Sequence, residues 1–283
     1  MVDWHVHDKT YRMLDMDLEF QAKSPFRVGA GKAVSPISPA SLQILRISMN
    51  DRSVPYIPGS SLKGLFRSCS EFIAKLKGLK VCMTGEECGS QLSEQLKEVF
   101  KERRFEDLKS LLKEKLCIIC KLYGAGGYAS HVAIHDAYPI GVVPINVKVG
   151  IAIDRRSGSV KNLYTLEFVP PGVRFRGKLT LTNAPNYALG LVSYVLEMVN
   201  AGIARIGGFK SRGFGVFDVK PVKVEGYVLS DGSLRDLKEV EVFEALDEYD
   251  VDVEVSDVKN DPLKFISKFK VAWDNYVSKV SRS

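Results

Sequence analysis

Four cysteines stand in two pairs, Cys82-x5-Cys88 and Cys117-x2-Cys120. Thiolates are soft donors that hold zinc or a similar ion in a closed tetrahedron, and the two-residue spacing of the second pair is common among zinc ligands. The first pair is looser, and His131 or His135 could stand in for one of its cysteines. The pairs flank a charged, helix-forming stretch, so a metal would staple an exposed insertion with little apolar core of its own. The alternatives are buried thiols, or an oxidised pair in a hyperthermophile. The fifth cysteine, Cys69, falls on an apolar helical stripe and reads as core.

The second constellation is "RIGGFKSRGFGVF", residues 205–217. Gly207, Gly208, Gly213 and Gly215 give the backbone freedom and leave room for a phosphate to approach it. Arg205, Lys210 and Arg212, with Ser211 between them, can hold phosphates without reading base sequence. The competing reading is a tight helix-to-strand turn with solvated cations. In "YIPGSSLKGLFRS" (56–68), Ser60 and Ser61 read as possible N-caps of a helix that carries Lys63 and Arg67, four apart, on one face near its start, a second place for an anion. Arg27 and Lys32 lie in a Gly/Ser/Pro-rich loop, and Arg155 and Arg156 beside a Ser-Gly turn. That loop, "FRVGAGKAVSPISPAS", is not a nucleotide-binding P-loop, which needs a glycine at Phe26 and a hydroxyl at Ala33.

The elements that must position these groups follow from periodicity. Residues 14–22 alternate as a half-buried strand; Leu62, Leu65, Phe66, Cys69, Phe72, Ile73 and Leu76 recur at helical spacing, with Gly78 as a stop. Residues 131–140 read as a short strand and turn, 152–172 as an extended arm or hairpin, 173–182 as a strand, 187–205 as a helix and 214–224 as a strand. The order βαββαβ predicts an α+β fold with a ferredoxin-like, RNA-recognition-motif-like core, long insertions and a C-terminal extension. Residues 1–224 form the body, with a cysteine-rich insertion at about 79–131 and a basic arm at about 140–171; residues 225–283 form an acidic, then amphipathic, accessory region.

In strand 173–182, Arg174, Arg176 and Lys178 share one face. The first strand offers Asp15, Asp17 and Glu19 on its own polar face, and the two strands are antiparallel neighbours in this topology. Cross-strand ion pairing is therefore expected there. With no row of polar-face aromatics either, RNA is expected to cross the loops and a helix N-terminus.

The net charge of +6 is unevenly spread. Residues 225–283 hold 14 acids and 8 bases (net −6), which leaves 20 acids and 32 bases (net +12) on residues 1–224. A basic body suggests a polyanionic partner such as nucleic acid. No run of eighteen apolar residues and no apolar signal core occur, so no membrane partner and a cytoplasmic setting with reduced thiols are expected.

"YIPGSSLKGLFRS", "CIICKLYGA", "AIDRRSGSVKNLYTLEFVPPGVRF" and "IGGFKSRGFGVF" together resemble the RAMP superfamily, and more narrowly the repeated backbone subunit of type III CRISPR effector complexes, over most of residues 12–224. The resemblance implies a core that polymerises along a guide RNA in an antiviral complex and an arm that wedges between bases of the guide–target duplex. Its partners would be guide RNA, base-paired target RNA, other effector subunits and further copies of itself. It also implies zinc in the insertion of some relatives. In target-cutting members an Asp on the loop after the first strand cleaves RNA. Here no Asp or Glu occurs from Gln21 to Asn50. Ser35, Ser38 and Ser41 cannot replace a carboxylate in metal or proton chemistry. A non-cleaving backbone subunit is the expected function. A metal-dependent endoribonuclease of the same fold, or a general single-strand RNA-binding protein, are the alternatives. Were there cleavage, the unassigned His5 and His7 would be the first suspects.

Overall fold

The structure is a computed structural model that describes residues 2–31, 38, 40–49, 51–83, 85–86, 88–230, 232–256 and 260–281. In chain order the elements are β1 (Arg12–Ala22), β2 (Arg46–Met49), β3 (Arg52–Pro55), α1 (Gly59–Leu76), α2 (Cys88–Lys101), α3 (Phe105–Lys115), α4 (Ile118–Tyr123), β4 (Val132–Ile134) and β5 (Tyr138–Pro139). They continue with β6 (Asn146–Ile153), β7 (Val160–Phe168), β8 (Arg174–Thr182), α5 (Asn186–Asn200), β9 (Phe217–Ser230), β10 (Ser233–Asp236), β11 (Val242–Phe243), β12 (Val253–Glu254), α6 (Pro262–Lys268) and α7 (Lys270–Val280).

The central sheet runs β10-β9-β1-β8-β4, with β5 also on β8, and the pairs are antiparallel. This is a ferredoxin-like core with insertions. Strict alternation along β1 sends Leu14, Met16, Leu18 and Phe20 into the core and Asp15, Asp17 and Glu19 to the other face. Side chains from α1 and α5, among them Leu62, Phe66, Leu189, Val192 and Leu196, join the same core.

α1 starts at least two residues earlier than its serines suggest. Pro58 takes the N-cap position, and the side chain of Asp136, from between β4 and β5, accepts the Gly59 N–H at 2.7 Å. Ser60 and Ser61 therefore lie inside the first turn, exposed, and are not caps. Gly59 itself is required by packing, since a Cβ there would lie 2.2 Å from the Ile134 carbonyl oxygen. Gly78 ends the helix as expected, with φ +80° and its N–H on the Lys75 carbonyl. α5 stops at Asn200 rather than at 205, so Ile203 leaves the apolar stripe and is 68% exposed.

The boundary expected at residue 224 falls inside β9, whose pairing with β1 continues to Val228. Beyond it, α6 and α7 bury Phe265, Ile266, Phe269 and Trp273 in the same core as β1 and α5. Each such side chain contributes about 2 kcal/mol or more by leaving water. Gly190 of α5 lets them in, because a Cβ there would meet the Phe269 carbonyl oxygen at 2.3 Å. The amphipathic tail thus shares its core with the body.

The cysteine-rich insertion forms α2, α3 and α4 around a small cluster of its own, Leu96, Leu112, Leu116, Cys120 and Tyr128. Residues 3–7 strap it to the body. Tyr128 Oη lies 2.6 Å from the His5 carbonyl oxygen and 2.9 Å from His131 Nε2. The arm is the hairpin β6–β7, turned at Asp154, whose side chain accepts the N–H groups of Arg156 and Ser157.

Candidate nucleic-acid interface and cysteine centre

The cations of the sheet are satisfied within the protein. Lys178 bridges Asp15 at 3.1 Å, and Arg174 and Arg176 meet Glu19 at 3.4 and 3.6 Å. Arg176 stands directly opposite Glu19 in the register, and Lys178 and Arg174 each reach an acid two residues along β1 from their opposite residue. Ion pairing, not a cationic sheet face, is what the sequence pattern encodes.

The remaining basic residues divide into two groups. Arg27 is buried, donates to the Gln43 carbonyl at 2.9 Å and stacks on Phe209. Arg67 forms an ion pair with Glu71 at 3.0 Å and donates to the Gly124 carbonyl at 2.9 Å. Arg205 donates to the Lys210 carbonyl at 2.6 Å. Arg212 also stacks on Phe209, 4.8 Å from its centroid, and hydrogen-bonds Tyr164 of the arm. These four arginines have work inside the fold.

Lys63, Lys210, Arg155 and Arg156, by contrast, have no carboxylate partner among the described residues, and Ser60, Ser61 and Ser211 are exposed beside them in sequence. Lys63 is half-buried, and its ammonium is pulled below the ordinary lysine range by burial first and by Arg67 second. An anion would relieve both effects. Lys210 lies close enough to α1 to offset part of the burial that raises the Cys69 thiol. Lys210 of the Gly-rich loop thus lies within electrostatic reach of Cys69 of α1. Lys32 lies outside the described residues.

The glycines of that loop have different duties. Gly207 and Gly215 have φ +84° each, and a Cβ on either would come within 2.2 Å of backbone oxygen, of Arg27 and Ile206 respectively. Their missing side chains admit the protein's own chain: Gly208 N–H donates to the Arg27 carbonyl and Gly215 N–H to the Pro25 carbonyl. At Gly208 and Gly213 a Cβ would meet nothing within 4 Å, and only there is the backbone open to another molecule. Half of the glycine pattern is turn packing, as the competing reading held. Phe209, in the left-handed region at φ 59°, and Tyr164 gave no sequence signal as partners because the Arg27–Phe209, Arg212–Tyr164 and Tyr164–Phe209 contacts join segments far apart in the chain.

The loop after β1 is lined by β7: Phe26 pairs with Val169 and Leu42 with Leu166. The acid it meets is Glu167, missed by sequence reasoning. This carboxylate is buried; it accepts from the Ile44 N–H at 3.0 Å and from Arg46 at 2.6 Å, and Ser38 Oγ lies at 2.5 Å. Burial works to raise its pKa, but Ser38, the Ile44 N–H and Arg46 outweigh it and hold the group below the usual glutamate range. Its oxygens are thereby committed to bracing the loop.

The four cysteines come together. The sulfurs of Cys82, Cys88, Cys117 and Cys120 lie within 4.8 Å of one another, a spread that a tetrahedral ion at about 2.3 Å from each would draw in slightly. Cys117 sits at the N-cap of α4, and its N–H points at Cys88 Sγ, 3.3 Å away. Cys117 is drawn toward the thiolate by S–H groups of Cys120 and Cys88, and those two are pushed up in turn, Cys120 to about 11. No histidine is needed. His131 is held by Tyr128 and by the Thr182 carbonyl oxygen at 2.8 Å, and the His135 N–H pairs with Lys178 on the sheet. The donor set fits one soft or borderline cation.

No helix among the described residues is long and apolar enough to cross a membrane. A comparison with curated proteins returns no match. The RAMP superfamily profile matches residues 19–218, which takes in the end of β1, α1, both insertions, the Gly-rich loop and the start of β9. The chain belongs to the RAMP superfamily, whose members point to CRISPR-associated work on RNA.

Proposed function

We propose that this protein is a non-cleaving backbone subunit of a type III CRISPR interference complex, active in the cytoplasm in antiviral defence, that holds guide RNA by its phosphates. The observation that carries this reading is the division of its cations. Those on the sheet are paired with acids, while Lys63 of α1 and Lys210 of the Gly-rich loop have none among the described residues. Phosphates there would meet ammonium groups, the Ser60, Ser61 and Ser211 hydroxyls and the open backbone of Gly208 and Gly213, none of which reads a base. The arm suits a wedge: Val147, Val149, Ile151 and Ile153 form an exposed aliphatic row on one face of β6, with Arg155 and Arg156 at its tip. The loop after β1 has no carboxylate of its own, and Glu167 beneath it is saturated. A structural zinc would be held by Cys82, Cys88, Cys117 and Cys120 and would fasten the insertion to α4. Partners in this reading are guide RNA, its paired target, other effector subunits and further copies of the chain.

The test is RNA binding across a salt titration. Lys63→Glu and Lys210→Glu should each weaken binding about equally for unrelated sequences and lower the slope of log affinity against log salt by about 1. Arg174→Glu, taken from an ion pair on the sheet, should do neither. Equal behaviour of all three variants and the wild type would overturn the reading.

A further inference from the structure

Tyr56, just after β3, and Tyr138, in β5, set their rings nearly parallel, with planes 20° apart and centroids 6.1 Å apart. Both are half-buried, and neither packs against either hydrophobic cluster. Core packing does not account for this pair. Tyr138 lies opposite Arg176, whose side chain is 56% exposed on the outer face of the sheet, so the pair stands at the β5 edge of that face. Asp136 ties the pair to α1: one carboxylate oxygen accepts the Gly59 N–H at 2.7 Å and the other lies 3.3 Å from the Tyr138 hydroxyl. The rings therefore border the first turn of α1, where Ser60, Ser61 and Lys63, which has no carboxylate partner among the described residues, follow.

We infer that Tyr56 and Tyr138 form a stacking platform for a nucleobase of the RNA whose phosphate lies at Lys63. This rests on the RNA-binding reading above and adds to it the group that takes a base. The two sites divide the chemistry. Ammonium and hydroxyl groups take phosphate and depend on salt; the rings take a base face and do not. Every nucleobase has such a face, so the platform accepts any sequence. Asp136 does not compete for the base. Its two oxygens are occupied by the helix and by Tyr138, and this fixes the ring in place.

The experiment uses the full chain and single-stranded RNA oligonucleotides of unrelated sequence, some carrying 5-bromouridine. Tyr56→Leu and Tyr138→Leu keep apolar bulk at the β3–β5 junction but remove the π face. Each should weaken binding roughly tenfold, with the salt slope unchanged. Tyr56→Phe and Tyr138→Phe should bind within about twofold of the wild type, because Phe stacks as Tyr does. Irradiation of the wild-type complex should join bromouridine to the peptide holding Tyr56 or Tyr138, a readout that does not depend on any variant folding. Leucine variants that bind like the wild type, while Lys63→Glu weakens binding, together with a crosslink elsewhere, would overturn the platform and leave the phosphate site standing. A wild-type chain that binds no RNA would overturn both.

Discussion

Arg67 of α1 points one guanidinium nitrogen at Cys120, 3.9 Å from its sulfur, while its other nitrogens hold Glu71 and the Gly124 carbonyl. Four thiolates around a divalent ion carry a net charge of −2, so a fixed cation beside them favours the loaded centre. Arg67→Met should therefore weaken metal retention against a chelator about tenfold and destabilise the chain by roughly 2–3 kcal/mol, because the buried Glu71 would lose this ion pair. Loss of RNA affinity in an Arg67 variant should track metal loss, as read by parallel zinc and binding assays.

About one zinc per chain should co-purify with the protein. Cys117→Ser should lose it and speed hydrogen exchange across residues 79–131 while leaving β1 and α5 protected. The small cluster of Leu96, Leu112, Leu116 and Tyr128 is too slight to hold three helices alone. Elemental analysis after purification without added metal checks the first claim, and exchange mass spectrometry the second.

Gly207→Ala and Gly215→Ala should each cost at least about 2–3 kcal/mol, since each combines a left-handed backbone with a Cβ driven into a carbonyl oxygen. Gly213→Ala, with the same φ but open space, should cost only about 1 kcal/mol, and Gly208→Ala close to nothing. Urea midpoints of the four variants give the order.

Burial, with His7 stacked 4.0 Å away, presses His131 down to about 3. A histidine in the unfolded chain titrates near 6.5. Below that pH the unfolded state binds a proton that the folded state refuses, so stability falls with acidification between about 6.5 and 3. The slope is at most about 1.4 kcal/mol per pH unit for this group. His5, also lowered by burial, acts in the same direction. His131→Gln should be less stable at pH 7.5 but lose less between pH 7 and 5, as chemical denaturation at each pH will register.

The isolated protein should not cut single-stranded or guide-paired RNA, with or without divalent metal. His5 is buried against the Lys109 carbonyl, and the exposed His7 is stacked on His131 and held at the Ala129 carbonyl, so both are engaged beside the cysteine-rich insertion. Glu167→Gln should lower stability and leave the cleavage assay blank. Cuts at a regular spacing, undiminished in His5→Ala/His7→Ala, would assign the protein to the cutting subunits.

What could be read from the sequence was local or periodic. Alternation in 14–22 and 173–182 gave both strands and the Glu19–Arg176 pairing, because in an antiparallel sheet residue type and register decide which charges meet. Helical spacing gave α1, Gly78 gave its end, and cysteine spacing gave the cluster. The unread part depends on contacts between distant segments. Nothing near Ser60 announces that Asp136 will cap α1 from across the sheet edge. Nothing near Arg212 announces Tyr164, and charge made the tail look separate while its aromatics belong to the core.

The Trp4 indole donates to Asp247 at 2.7 Å, a bond spanning 243 positions, and the Val2 N–H donates to the Leu246 carbonyl. On the ribosome, the first few residues must wait for this partner. At roughly 5–20 residues per second that wait is about 12–50 s, and for the last roughly 3–13 s before Phe265 is made, the finished α5 can pack on β1 while the side that α6 and α7 will cover stays bare. Newly made chains should therefore engage a chaperone through that surface until the segment from Phe265 to Trp273 emerges and covers it.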